Sequence, residues 1–200
     1  MGVGPPWSET PAGWMLNGHP LHLRIPDTVT LARVVAIPDN RGAGLWVTFA
    51  CTAVPDHQVL LSALVDHHRP LTLGDCDRIA DMLVERITGW KRWEASRLWA
   101  QTIGAWPIID GELLGRGVDL AALPPDRATN VAFGWWRAML GKAKSGEWER
   151  WLRDLEREPR RVIIAEAEQP MDPAQLAELQ GLIGAATGPA AAGETVEQLP

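Results

Sequence analysis

Apolar residues recur along this chain with two different periods, and the change of period divides it. From Leu21 to about Val54, LHLRI alternates apolar and polar positions, TVTLARVVAI is β-branched, and LWVTFACTAV follows a turn at Asp39-Asn40-Arg41-Gly42-Ala43-Gly44. Alternation and β-branching suit a pleated, half-buried surface, so two or three strands of an antiparallel meander are expected here. Pro26 and Pro38 then fall at strand ends or edges, where a missing amide donor is tolerated. The preceding residues 1–18 hold Pro5, Pro6, Pro11 and several glycines, with Trp7 and Trp14 as large apolar groups. They read as an irregular arm that docks through those two rings.

After Pro55 the segment HQVLLSALVDHH is compatible with a strand or a short helix, and from Thr72 onward the spacing becomes helical. A first helix is expected from about Asp75 to Ile87. Ile79, Met82, Leu83 and Ile87 share a face, Thr72 or Gly74 forms the cap region, and Gly89 is the stop. A second starts near Trp93 with Leu98, Trp99, Thr102, Ile103 and Trp106 on its stripe. It bends or ends at Pro107, which removes a hydrogen bond and clashes one turn back, and resumes through Ile109, Leu113 and Leu114. A third runs from Asp126 to about Leu140, burying Ala128, Ala132, Trp135, Trp136, Met139 and Leu140, with Gly141 as its stop. In the fourth, Ser145 is the cap and Trp148, Trp151, Leu152 and Leu155 recur at helical spacing, up to Pro159.

Arg160 to Ala167 reads as a short strand or a linker, and Asp172-Pro173 starts a last helix bearing Leu176, Leu179, Leu182 and Ile183. From Gly184 the chain is small, polar and aperiodic, the composition of a disordered tail. The expected fold is therefore α+β: a small N-terminal antiparallel β-meander packed on a C-terminal bundle of four to five helices. Its segments are an arm at 1–18, a β-rich part at 19–70, a helical core at 71–158, a linker and final helix at 159–183, and a flexible tail at 184–200.

Composition narrows the function classes. A chain of 200 residues, 46% hydrophobic and 22% charged, can bury roughly 70% of its unfolded surface in one core. No apolar run approaches the roughly 20 residues that span a bilayer. The N-terminal stretch has neither a basic region nor an apolar run, and Pro6 stands where a myristoylation motif wants Ser or Thr, so no export or membrane anchor is expected. Cys51 and Cys76 are too few for a disulfide framework or paired zinc ligands, which suits a reducing cytoplasm. The net charge of −6 disfavours nonspecific nucleic-acid binding, which needs a basic surface. Eleven Trp against two Phe and no Tyr reflects GC-rich coding rather than a chemistry.

Candidate chemistry is sparse. Asp56, His57, Asp66, His67 and His68, with His19 and His22 upstream, match no standard zinc spacing, and surface or capping histidines are the better reading. Asp75 with Asp77 and Asp110 with Glu112 lie two apart and so do not face one substrate. The first pair is better explained as first-turn charge favoured by the helix dipole. No nucleophile elbow, P-loop or dinucleotide-binding glycine pattern is present. No catalytic, cofactor-binding or metal-binding residue is nominated. Trp99, Trp106, Trp135, Trp148 and Trp151 are spaced to point inward, with core packing favoured over a recognition surface. Adjacent Trp135 and Trp136 cannot share a centre, and Trp90 and Trp93 flank a helix start. Trp7, Trp14, Trp90 and Trp136 are therefore the aromatic candidates for partner contact, because exposed Trp is enriched at interfaces.

Residues 87–140 carry a pattern with a relative elsewhere. Trp93, Ser96 in place of an Ala, and Trp99 enter a helix that leads to Gly111, Leu113, Leu114, Gly117, Val118, Asp119 and Leu120. Leu123, Pro124, Arg127, Asn130 and Trp135 follow. This block resembles small proteins encoded in the tail-gene region of actinobacterial phages, a group similar to the tail assembly chaperones. The resemblance covers about a quarter of the chain firmly, and its motif is structural rather than catalytic. It implies a non-enzymatic protein of the bacterial host cytoplasm that binds a tape measure protein and tail tube subunits. Under it, the last helix through Leu176, Leu179 and Ile183, or the tail, docks a second component, and self-association is an open possibility. The alternatives are a structural head or tail completion or connector protein, and a small-molecule- or metal-binding enzyme built on His57, Asp66 and His67 or His68.

Overall fold

The structure is a computed structural model that describes residues 13–38, 42–68, 70–142 and 146–167. The chain divides into two compact units, the first extending to Arg157 and the second beginning at Glu158. The first opens with a hairpin: β1 (Gly13–Leu16) pairs antiparallel with β2 (His19–His22) in the register Trp14 to Leu21 and Leu16 to His19. Asn17 and Gly18, both at positive φ (49° and 84°), form the turn. Asn-Gly suits this turn because both central residues must be left-handed. Alternation then sends Trp14, Leu16 and Leu21 to the core and leaves Met15 outside. Trp14 is thus a buried strand residue, 6% exposed, and not an arm residue free for partner contact.

The fold is α+β and helix-rich, with its antiparallel pair at the N-terminal end. The strands expected over 28–54 are instead helices: α1 (Thr28–Val35) and α2 (Ala43–Ala50), followed by a 3₁₀ turn at Val54–Asp56 and α3 (His57–Leu64). In α1, β-branched residues coexist with a helical period, because Thr28, Leu31, Ala32 and Val35 are the buried set. Asp27 caps the helix through Oδ1, which accepts the Thr30 amide at 2.8 Å, and weak β propensity yields to cap and packing. Helix α2 is apolar nearly all round, so its period is invisible in the sequence. What remains of a third strand is a bridge between Leu23 and Thr52, flanked by the Arg24 amide donating to Cys51 O and the Ala53 amide to His22 O.

Four longer helices and one short helix complete the first unit: α4 (Leu73–Thr88), α5 (Arg92–Gly104), α6 (Trp106–Leu114), α7 (Pro125–Leu140) and α8 (Glu147–Glu156). Their boundaries follow the expected signals. Thr72 and Asp75 form a capping box, Gly89 ends α4 in the left-handed region at φ 76°, and Pro107 opens α6 at its first turn. The buried stripe of α4 is Cys76, Ala80, Leu83, Val84 and Ile87, one position round from the expected face, so Met82 is exposed. At α8 the N-cap is Gly146, left-handed at φ 90°, where Ser145, which lies outside the described residues, was expected. In the second unit Arg160–Ala167 is a helix, α9, where a strand or linker was expected. The proposed last helix, the tail from Gly184 and the arm residue Trp7 lie outside the described residues.

One apolar core joins the hairpin to the helices from α1 to α8, with Leu21, Leu31, Val47, Leu60, Leu83, Leu98, Trp99, Ile109 and Leu120 essentially inaccessible. Helices α2 and α4 are pressed together: a Cβ on Gly44 would stand 2.7 Å from the Asp77 Cα and N. At the same place the Arg92 side chain, 2% exposed, crosses from α5 to α4. It donates to Asp77 Oδ1 at 2.7 Å and to Asp81 Oδ1 at 2.6 Å. Gly44→Ala should lower unfolding stability by roughly 1–3 kcal/mol in urea titrations, because the backbone it meets cannot rotate aside. Gly134→Ala in α7, where a Cβ meets nothing within 4 Å, should raise it by up to about 1 kcal/mol.

Candidate protein-binding face

Six aromatic rings from three elements form a continuous row on the first unit. Trp90 stands in the connection after α4, Phe133, Trp135 and Trp136 on α7, and Trp148 and Trp151 on α8. Ring centroids lie 4.8 Å apart for Trp90 and Phe133, 5.4 Å for Phe133 and Trp148, 5.2 Å for Trp148 and Trp151, and 6.1 Å for Trp151 and Trp136. Trp135 meets Trp136 edge-on at 5.1 Å. Trp135 is buried and the other five are half-exposed. Helical spacing puts Phe133 and Trp136 of α7, and Trp148 and Trp151 of α8, three apart on their faces.

Nearly every indole in this row directs its N–H into the protein. Trp90 donates to Asn130 Oδ1 at 3.0 Å, Trp135 to Glu112 Oε2 at 3.0 Å, Trp136 to Thr102 Oγ1 at 3.1 Å, and Trp151 to Gln101 Oε1. With the donors engaged, the ring surface left to solvent is apolar, so it gains by contact with an apolar partner rather than a polar ligand.

The α5 edge of this face is polar and holds α8. Glu94, Arg97 and Gln101 recur one and two turns apart on α5. The Arg97 guanidinium donates through Nη1 to the carbonyls of Asp154 at 2.9 Å and Leu155 at 2.7 Å, and to that of Arg157. These are carbonyls that the end of a helix leaves without intrahelical partners. Burial pushes the Glu94 carboxyl up, and the Glu156 and Glu85 carboxylates push it further. The Lys91 amide, 3.1 Å from Oε2, and the Lys91 charge oppose them.

Of the residues nominated from sequence, Trp90 and Trp136 fall on this face, Trp14 is in the core, and Trp7, Leu176, Leu179 and Ile183 lie outside the described residues. Sequence reasoning assigned Trp148 and Trp151 to the core; both are half-buried, and Trp151 packs against the core from its margin. Their signal was the strong amphipathicity of a helix with little else to bury. Trp46, 58% exposed on α2, was missed because α2 was taken for a strand.

The motif residues of 87–140 build the fold. Trp99 donates to Thr129 Oγ1 at 3.2 Å. Gly117, at φ 76°, and Val118 return their amides to the carbonyls of Leu114 and Leu113, both at 2.9 Å, closing the end of α6 in a Schellman turn. Asp119 Oδ1 accepts the amides of Ala121 and Ala122, and the Leu123 carbonyl accepts the Thr28 hydroxyl.

The histidines have separate local roles. His57 Nε2 lies 3.0 Å from both Phe49 O and Thr52 O, so it carries the proton and ties the end of α2, while Asp66 accepts the amide of His68. His22 pairs with Asp56 at 3.0 Å. Among the described residues, no group of three His, Cys, Asp or Glu could hold a metal ion, and no helix is long and apolar enough to cross a membrane. Burial pushes the Cys51 thiol up to about 12, and raises that of Cys76 with help from Asp75 and Asp77. A groove of about 380 Å³ between β1 and α4 is lined by Met15, Leu16, Leu71, Ile79, Arg78 and others, with Arg78 engaged by Asp75.

No family model, curated protein or solved structure matches this chain. What the aromatic face can do is therefore set by its rings and its charged edge.

Two carboxyls on this unit titrate with opposite signs. Thr72 and Arg78 hold Asp75 down at about 2, below its ordinary 3.8, so its contribution is present above pH 4 and is lost as pH falls toward 2. Glu94 is raised above its ordinary 4.5, so its contribution is present below that value and is lost as pH rises through the folded-state value. Urea unfolding as a function of pH should show Glu94→Gln more stable than the parent at pH 7, with the difference gone below pH 4. Asp75→Asn should instead be less stable at pH 7 and converge with the parent near pH 2.

Proposed function

We propose that this chain is a phage tail assembly chaperone-type protein that holds an amphipathic helical segment of a tape measure protein against its aromatic face. A tail tube protein is its second partner in the bacterial host cytoplasm. The observation that carries this reading is the row of half-exposed rings with inward-directed donors, which offers apolar area at low entropic cost because each ring has only two rotatable bonds. An apolar helix stripe laid over such a row is the helix-in-groove mode, and surrounding acidic groups such as Glu147 and Glu149 suit a partner with basic flanks. The resemblance of residues 87–140 supplies the class of partner. Its motif residues support the connection between α6 and α7, and α7 carries three of the six rings.

Coexpression with the tape measure and tail tube proteins of the same genome, followed by size exclusion with multi-angle scattering, tests the proposal. The tape measure protein should be retained in a soluble complex. Trp136→Ala and Trp90→Ala should each weaken capture at least tenfold, as expected of aromatic anchors of an interface, while Trp46→Ala on α2 leaves it unchanged. A stable closed ring formed by the chain alone, ignoring both proteins, would assign it to the structural completion proteins instead.

A further inference from the structure

The aromatic row has one polar atom left over. Trp90, Trp135, Trp136 and Trp151 each give their indole N–H to a side chain of the same unit, whereas the Trp148 Nε1–H has no acceptor among the described residues. Trp14 and Trp93 are the described indoles whose nitrogens are buried without a partner; Trp148 is half-exposed and its nitrogen keeps access to solvent. Rings on two sides fix its place. The Trp148 ring meets Phe133 edge-on at 5.4 Å and 63°, and stacks on Trp151 at 5.2 Å and 25°. Phe133 leads on to Trp90, and Trp151 to Trp136, so the free donor stands in the middle of the row and not at its margin. In solution, water satisfies this N–H. Beneath an apolar partner it loses that hydration, and a buried donor without an acceptor weakens binding steeply.

We propose that Trp148 sets the register of the helix bound on the aromatic face, by donating its indole N–H to one neutral side-chain acceptor, Asn or Gln, within the partner's apolar stripe. The inference rests on the helix-binding reading above and names the feature by which the partner segment is chosen. A helix that is apolar along the whole contact buries the Trp148 donor unpaired, and nothing polar opposes its sliding by a turn. A single amide satisfies the donor in one register only, as a lone Asn does at the seam of a coiled coil. The acceptor is an amide oxygen and not a carboxylate, because Glu147 and Glu149 flank Trp148 on the first turn of α8. In a chain of net charge −6, a further carboxylate there meets like charge. Backbone carbonyls inside the partner helix do not serve, since they point along its axis and are engaged by its own amides.

The test compares the full parent chain with one in which Trp148 is replaced by benzothienylalanine, an isostere that keeps both rings and carries sulfur in place of the N–H. The probes are overlapping labelled peptides that tile the tape measure protein of the same genome, read by fluorescence anisotropy. Peptides that bind the parent should carry Asn or Gln within an i, i+3, i+4, i+7 apolar stripe. The isostere should bind them at least about tenfold more weakly. Its urea midpoint should stay that of the parent, because this N–H bonds nothing in the free chain. Changing the peptide's Asn or Gln to Leu should weaken binding to the parent and restore it for the isostere, a crossover that neither lost ring area nor misfolding produces. Equal affinity of parent and isostere, or bound peptides with an uninterrupted apolar stripe, would overturn the inference. If Trp136→Ala still weakens binding in that case, the chaperone reading survives. Absence of binding to the parent, or binding that Trp90→Ala and Trp136→Ala leave unchanged, overturns the helix-binding reading itself and this inference with it.

Discussion

The approach of α2 to α4 leaves no room for a side chain at Gly44, and Asp77, the residue it meets, also accepts a hydrogen bond from the buried Arg92 guanidinium. Three helices are thereby fixed at one residue: α2 by contact with the backbone, α4 by carrying it, and α5 through the ion pair. A buried pair of this kind adds little net stability over apolar packing, because desolvation offsets attraction, but breaking it strands a charge. Its effect is on geometry. A shift of α5 along α4 would separate Arg92 from Asp77 and Asp81 together. The position of α5 matters because α5 then presents Trp99 and Thr102 to α7, and Arg97 and Gln101 to α8.

From that placement the aromatic face follows by hydrogen-bond satisfaction. Thr102 lies one helical position from Ile103 and receives Trp136, and Thr129 receives Trp99 in the core. A ring whose donor is tied down cannot turn its polar edge outward, so the row keeps an apolar outer surface. Trp14 and Trp93 mark the limit of this economy: their indole nitrogens are buried without a hydrogen-bond partner among the described residues. Unmade hydrogen bonds of this sort cost roughly 1–3 kcal/mol each.

How much of this was legible in the sequence depended on how local the determining interaction is. The helices from Thr72 to Leu140 were readable because their caps and stops, Thr72, Asp75, Gly89, Pro107 and Pro125, act within one turn. The hairpin was equally readable in principle, since Asn17-Gly18 sits between alternating apolar residues, but the prolines upstream give the same stretch the composition of an irregular arm. Helices α1 and α2 were not readable as such. In α1 β-branched composition masked a period of three to four, and in α2 apolar residues on all sides left no period to see. What decided both is packing against α4 and α5, which no local pattern reports. Likewise the sequence could nominate Trp136 for exposure from its neighbour Trp135. It could not show that Trp148 and Trp151 stay half-exposed, because that depends on α8 lying at the edge of the bundle.

The same edge position sets how α8 differs from the helices it lies on. With Leu155 as its one fully buried residue, α8 holds its place through side chains that reach it from α5: Arg97 binds the carbonyls of Asp154 and Leu155, and Gln101 takes the Trp151 indole. Trp151 and Leu152 pack against the core from its margin, so part of each side chain stays accessible. The accessible part of the aromatic row is therefore a consequence of α8 closing the bundle at its edge, and its position is inherited from α5, which Asp77 and Asp81 hold through Arg92.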